Sequence, residues 1–277
     1  MSIKVTLLGT GTPAPNPQRL QSATVVEIGE DLLLFDAGRG TVHQMARARM
    51  EIGRVNPVFI THHHVDHISD LFDVVITTAL EGRTQSLRIF GPAGTRQIVG
   101  ALIDEVYARD LRTRDPGLIG VVETEDVGPG RVCGTDRWKV SADEVVHGVF
   151  PGDPGFDWRC LGYRIEAQGR VVTISGDTVP CDGIVRLARD ADLLVQCCHF
   201  PDSIVTDPAI EHMTRHTLPC SGQVGTIAAR ANVKHVVLTH ISMRVDGPAM
   251  LDEMCADVRR EFNGEVTAGE DLMVLEI

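Results

Sequence analysis

The chain has 277 residues, with 26 basic and 38 acidic side chains, a formal charge of −12, 43% apolar residues and 23% charged ones. That balance excludes whole-chain disorder, collagen and a disulfide-stapled miniprotein, and the length fits one large domain, taken as residues 1–277. The acidic excess argues against a broad nucleic-acid footprint, which needs clustered Lys and Arg.

In chain order, the start, MSIKVTLLGTGTP, reads as a strand entering a Gly/Pro turn and not as a leader. Strand-like runs follow at Ala23–Ile28, Leu32–Phe35, Pro57–Ile60 and Leu87–Phe90, with helical stretches at Arg39–Met50, Asp70–Leu80 and Gly94–Arg109. The segment Arg109–Arg131, rich in Asp, Glu, Gly and Pro, reads as a surface connection or a mobile rim. Later strands fall at Lys139–Val146, Leu161–Glu166, Val171–Ser175, Leu193–Cys197, His235–Leu238 and Leu272–Glu276. The helices between them are Gly183–Arg189, Cys220–Ala231 and Pro248–Glu261. Asp70 and Ser221 are the expected N-caps. The order predicts two packed sheets covered by helices. Seven scattered cysteines without CxxC spacing predict buried thiols in a reducing compartment, the cytoplasm, and no apolar run is long enough to span a membrane.

The strongest chemical signal is Val58-Phe-Ile-Thr-His-His-His-Val-Asp-His67. An apolar strand ends at Thr61, and His62, His64, Asp66 and His67 then arrive together. Imidazole nitrogen and carboxylate oxygen are ligands that zinc takes. Extended spacing puts His62 and His64 on one side of the chain and turns His63 away. Asp66 and His67 follow where the chain enters a helix and can face a second ion. His147, Asp177 and His240 each end an apolar run and complete a ligand set of seven, with Gly176 letting the backbone come close before Asp177.

These motifs, with Leu8-Gly-Thr-Gly-Thr-Pro13, Phe35-Asp-Ala-Gly38, Leu161-Gly-Tyr-Arg164 and Val237-Leu-Thr-His-Ile-Ser242, make the chain resemble the metallo-β-lactamase superfamily and, more narrowly, its ribonuclease Z and arylsulfatase-like branch. The resemblance implies an α+β fold, a four-layer αββα sandwich, with a dinuclear site at one sheet edge. It implies that His62, His64 and His147 hold one ion and Asp66, His67 and His240 the other, with Asp177 bridging. Asp36 matches a carboxylate that orients ligands. The cofactor expected is a pair of Zn²⁺ ions, with Mn²⁺ or Fe²⁺ as alternatives. Family analogy implies a homodimer.

Such a site hydrolyses its substrate with a metal-bridging hydroxide, which Asp66 and Asp177 would hold in line. His216 sits where the branch carries a His that protonates the leaving oxygen. The Glu that orients it there is Cys197 here, so His199 or His212 can share the role. Val65 stands in place of the usual Gly. The missing Glu, the short Arg109–Arg131 segment and the acidic charge favour a small-molecule ester, lactone, phosphodiester or sulfate ester as substrate, with no nucleic-acid or membrane partner. The alternatives are a tRNA 3′-processing endoribonuclease and a non-catalytic binding protein. Phe150, Phe156 and Trp158 would wall an apolar pocket, with Phe200 and Met213 on its rim.

Overall fold

A computed structural model describes residues 3–114, 117–148 and 158–277. In the first half, β1 (Ile3–Gly9), β2 (Ala23–Ile28) and β3 (Asp31–Phe35) form an antiparallel meander. Helix α1 (Thr41–Arg47) then leads to β4 (Val55–Phe59), and α2 (Val65–Ile68) and α3 (Leu71–Leu80) lead to β5 (Leu87–Gly91). After α4 (Thr95–Ala101) and α5 (Ala108–Thr113) comes β6 (Val122–Asp126). The second half contains β7 (Gly130–Gly134), β8 (Trp138–Val145), β9 (Cys160–Ala167), β10 (Arg170–Ile174), α6 (Asp182–Leu187) and β11 (Leu193–Cys197). It continues through α7 (Pro208–His216), α8 (Ser221–Ala231), β12 (His235–Thr239), α9 (Gly247–Arg259) and β13 (Glu265–Ala268). Finally β14 (Val274–Glu276) returns to pair with β1.

The described strands form two sheets, ordered β14-β1-β2-β3-β4-β5-β6 and β13-β12-β11-β10-β9-β8-β7. Strand periodicity builds three apolar layers from them. In β1, Ile3, Val5 and Leu7 face the second sheet, whose Val140, Leu161, Tyr163, Ile165 and Val195 meet them. The alternate residues of β2 and β3, Ala23, Val25, Leu32 and Leu34, face outward against α1 and α3 through Met45, Leu71 and Val74. Leu194, Val236 and Leu238 do the same on the other side against α6, α8 and α9. The result is the expected four-layer αββα sandwich. Among the described residues no helix is long and apolar enough to cross a membrane, and all seven cysteines are free, six of them buried.

Three strands and three helical segments depart from the sequence reading. Arg109–Arg131 is no plain connection: it holds the end of α5, then β6 and the start of β7, each an edge strand of its sheet. The sequence VETED of β6 carries charge on an exposed edge, which blunts further pairing and hides the apolar alternation. Strand β13, EVTA, is likewise absent from the expected strands. The stretch Gly94–Arg109 breaks at a π-helical turn over Leu102–Val106. Helix α7 went unread although Asp207 caps it, accepting from Ala209 N at 2.8 Å and Ile210 N at 3.0 Å, with Pro208 at its first position. The four-residue α2 is too short to show a helical period in the sequence. Asp70 stands at the N-cap of α3 but its carboxylate accepts instead from Gly40 N, 2.8 Å away, at the start of α1. The N-cap of α8 is Cys220, and Ser221 Oγ donates to Asp257 Oδ2.

Phe35, Phe59 and Phe90, on neighbouring strands of the first sheet, stack with ring centroids 4.8 and 5.5 Å apart. Tyr163 packs against Phe35 and Phe59 from the second sheet and donates its hydroxyl to Ile60 O at 2.8 Å. That bond and Leu161 N to Thr61 O, 2.8 Å, pin the end of β4 to the opposite sheet. Strands β3 to β6 and β10 to β13 run parallel, and their carboxyl ends gather the chemistry, as expected in open sheets with helical crossovers.

Candidate metal centre

Beyond β4 the chain reads Thr61-His62-His63-His64, and α2 starts at Val65. His63 turns away, its Nε2 2.8 Å from Thr95 Oγ1 at the start of α4. His147 lies beyond β8, Asp177 beyond β10 and His240 beyond β12. Gly176 has φ of 59°, and a Cβ there would lie 2.8 Å from Thr61 Cβ and 2.9 Å from Leu161 O. Only glycine lets the Asp177 turn close against the end of β4. Asp36 and His240 also hold left-handed backbone, at φ of 60° and 57°, a strain of about 1–3 kcal/mol each that concentrates at sites of this kind.

The seven predicted side chains converge. His64 Nδ1 lies 3.0 Å from His62 Nε2 and 3.0 Å from His147 Nε2. Asp177 Oδ2 lies 3.2 Å from His240 Nε2, 3.6 Å from the Nε2 atoms of His67 and His147, and 4.0 Å from His62 Nε2. His240 Nε2 is also 3.1 Å from Asp66 Oδ2. Three groups could each hold a cation: His62, His64 and His147; His62, His67 and Asp177; and Asp66, His67 and His240. Asp177 stands between the outer two.

Hydrogen bonding within the protein accounts for only part of this convergence. His147 Nδ1 donates to Thr217 O at 2.6 Å and His67 Nδ1 to Asp36 Oδ2 at 2.7 Å, so each turns its Nε2 inward. His67 Nε2 and Asp66 Oδ1 are buried without a hydrogen-bond partner, an arrangement that costs stability unless something else satisfies them. Zinc–nitrogen bonds of about 2.0–2.1 Å in a tetrahedron set ligand nitrogens about 3.3 Å apart, close to the 3.0 Å spacing found here. The donor set of imidazoles and carboxylates fits a divalent metal.

The electrostatics divide the cluster. Burial pushes His62 far below its ordinary value, with His67 adding to the effect. Burial and the neighbouring His147 push His64 down to about 4, and burial also lowers His147. These rings stay neutral and ready to ligate. His67 goes the other way: burial opposes its charge, but the Asp36 and Asp177 carboxylates outweigh burial and hold its proton. Asp177 stays well below the usual carboxylate range despite burial, because His240 and His67 face it. Asp66 is lowered too, the His240 bond and His67 outweighing burial.

The other predicted site residues sit around this cluster. The His199 ring lies 5.9 Å from that of His240, and burial followed by His240 pushes it down to about 4. His216 closes α7; its carbonyl accepts from Gly148 N at 2.8 Å, and its ring lies 4.5 Å from that of His212. The α7 end is thus tied to the His147 loop. Cys197, at the expected Glu position, holds no imidazole: its Sγ accepts from Thr178 N at 3.2 Å and donates to Thr178 O at 3.4 Å, steadying the turn after Asp177. The Trp158 ring lies 4.6 Å from that of His64 and 5.9 Å from that of His62. Phe150 and Phe156 lie outside the described residues. Phe200 is buried against His199 and fills the interior, not a rim, and Met213 is half-buried. Sequence reasoning passed over Thr61 and Thr217, whose contacts with ligand rings carry no local signal.

Residues 32–241 match the family model of the β-lactamase superfamily domain. The chain is 31% identical over 281 residues to ribonuclease Z of Mycobacterium bovis, covering 99% of this chain and 98% of that one. It is 31% identical to ribonuclease Z of Methanosarcina acetivorans, again over 99% and 98%. The chain is a metallo-β-lactamase superfamily hydrolase of the ribonuclease Z branch. Human tRNase Z, short form, superposes with a TM-score of 0.76 at 26% identity over 98% of both chains. The metallo-β-lactamase fold protein YhfI of Bacillus subtilis, at 20% identity and a TM-score of 0.75, covers 100% of this chain and 99% of its own, a likeness of fold.

Membership of this branch makes the protein a metal-dependent hydrolase, and it corrects the substrate expectation. Full-length relatives named ribonuclease Z overturn both the small-molecule reading and the expected absence of a nucleic-acid partner. That expectation rested on Cys197 in place of the Glu, on the short Arg109–Arg131 segment and on total charge, none of which gives the potential at the site. A sum of −12 averages the whole surface, whereas a phosphate backbone meets only the potential at the site. Along the chain Arg39 follows Asp36 and Arg244 follows His240; both are exposed, and neither forms a salt bridge among the described residues.

Proposed function

We propose that the protein is a tRNA 3′-processing endoribonuclease that hydrolyses a phosphodiester at a dinuclear, zinc-type centre. His62, His64 and His147 would hold one ion, Asp66, His67 and His240 the other, with Asp177 between. The metal centre in this reading is supported by the inward convergence of these groups around Asp177 Oδ2, with His67 Nε2 and Asp66 Oδ1 left unsatisfied in the protein interior, and the tRNA substrate by the full-length likeness to relatives named ribonuclease Z and to human tRNase Z. When bound, such metals lower the pKa of water towards neutrality and stabilise negative charge developing at phosphorus.

The chain's own residues do the rest. Asp66 Oδ1, buried and unpartnered, is a free acceptor that takes and orients a proton of the attacking water. Asp36 holds His67 by its Nδ1, and Thr217 O holds His147 by its Nδ1, so neither ring can swing out of line. His216 gives a proton to the leaving oxygen; the two carbonyls at the end of α7 fix its backbone to the His147 loop. His199, pushed down to about 4 by burial and His240, holds no acidic proton at neutral pH, which leaves that transfer to His216.

The test is cleavage of a precursor tRNA bearing a 3′ trailer by enzyme first stripped with chelator and then reloaded with Zn²⁺. Release of the trailer at a single position, lost on chelation and regained on reloading, supports the reading. Metal-loaded enzyme that leaves the precursor intact contradicts it.

A further inference from the structure

Thr61 is fully buried where Asp36 meets the cluster. Its Oγ1 lies 2.9 Å from Asp36 Oδ2 and 3.0 Å from His62 Nδ1, while its backbone N donates to Asp36 Oδ1 at 2.7 Å. A hydroxyl has one hydrogen to give, and a carboxylate has none. The bond to Asp36 therefore uses the Thr61 hydrogen, and the bond to His62 has to be donated by the imidazole. In the neutral ring this places the hydrogen on Nδ1 and leaves Nε2 bare, facing His64 Nδ1 and Asp177 Oδ2.

We infer that Thr61 is a positioning residue whose hydroxyl relays the Asp36 carboxylate to His62 and fixes the tautomer in which His62 Nε2 is free to bind metal. The inference rests on reading the cluster as a metal centre. It makes Asp36 the common anchor of both halves: Oδ2 takes His67 Nδ1 directly, at 2.7 Å, and reaches His62 through the threonine. The strand-end Thr before the first His of the motif is thus part of the site, where composition would read it as a β-branched residue ending a strand. Its backbone is held independently, by Asp36 through N and by Leu161 N through O, so the side chain can be changed without freeing the strand end.

The test compares Thr61→Val, which keeps the branched shape and removes the hydroxyl, with Thr61→Ser, which keeps the hydroxyl. Two readouts are needed. Long-range ¹H–¹⁵N spectra of metal-free, ¹⁵N-histidine-labelled protein report the His62 tautomer, with the resonance assigned through His62→Asn. Competition against a chromogenic chelator reports Zn²⁺ affinity. Wild type and Thr61→Ser are expected to show His62 protonated on Nδ1, and Thr61→Val the Nε2-protonated form or a mixture. Zinc affinity should fall about 10–100-fold in Thr61→Val and by less than about threefold in Thr61→Ser, as for other partners of ligating histidines. Wild-type affinity and an unchanged tautomer in Thr61→Val would overturn the relay. So would a wild-type His62 protonated on Nε2, a result that needs no variant to fold. Wild-type protein that binds no zinc yet shows His62 protonated on Nδ1 would overturn the metal-centre reading and support the relay.

Discussion

The two halves of the cluster are built on opposite principles. His62, His64 and His147 are imidazoles alone, all pushed towards neutrality, with His64 partly open to solvent and covered by Trp158. Asp66, His67 and His240 are fully buried and mix carboxylate with imidazole, and His67 retains a proton there. The first half is held by hydrogen bonds that its imidazoles donate to neutral oxygens, Thr61 Oγ1 and Thr217 O, the second by a direct bond to the Asp36 carboxylate and a left-handed His240 backbone. A site made this way has one half organised before metal arrives and another whose charges need the metal to balance them.

The largest effect expected from breaking this contrast is that of His64→Ala. It removes the nitrogen shared at 3.0 Å by His62 and His147, so elemental analysis should find one equivalent of metal lost and precursor cleavage reduced to background. Two retained equivalents with full turnover would show the halves to be wrongly drawn.

Gly38→Ala attacks the other half. An added Cβ would collide with the Asp66 carbonyl and approach Ser22 O and Gln21 Cβ to 2.8 Å. Overpacking of this kind costs about 1–3 kcal/mol, and here it displaces the turn that carries Asp66 and His67. Urea unfolding should record that loss, and metal analysis should show the ion beside His240 weakened and the trihistidine one spared.

Acid titration sharpens the contrast with a smaller effect. The raised value of His67 means that the metal-free site carries a proton there at neutral pH, which metal must expel. Affinity at the Asp66, His67 and His240 half should therefore fall about tenfold per pH unit below neutrality, as one proton competes with one ion. The trihistidine half, whose three rings are all lowered by burial, should lose its ion only at lower pH than the other half. Isothermal titration calorimetry with Zn²⁺ between pH 5 and 8 resolves the two. A common slope for both equivalents would refute the division.

The sequence was legible where physics is local. Strands buried on both faces, such as Leu193–Cys197, read within a residue of their bounds because a continuous apolar run carries them, with Gln196 the one polar residue inside. The charged edge strand β6 and the glycine-flanked β7 did not, because an edge has no buried alternation to display. Thr61 through His67 announced itself by crowding ligand types after an apolar run. His147, Asp177 and His240 each looked like an ordinary polar strand end until set beside that motif. Contacts made by main-chain carbonyls, such as Thr217 O on His147, leave no trace in residue identity. The substrate is not legible this way: net charge carries no information about where the cations lie, and neither Cys197 nor the length of Arg109–Arg131 reports on the surface that meets a substrate.

The central claim is that two ions sit where these strand ends meet. Anomalous diffraction at the zinc edge, from crystals of metal-loaded protein, tests it most directly. The account predicts two peaks, one among His62, His64 and His147 and one among Asp66, His67 and His240, with Asp177 contacting both. Peaks lying elsewhere, or seven side chains turned away from any ion, would contradict it.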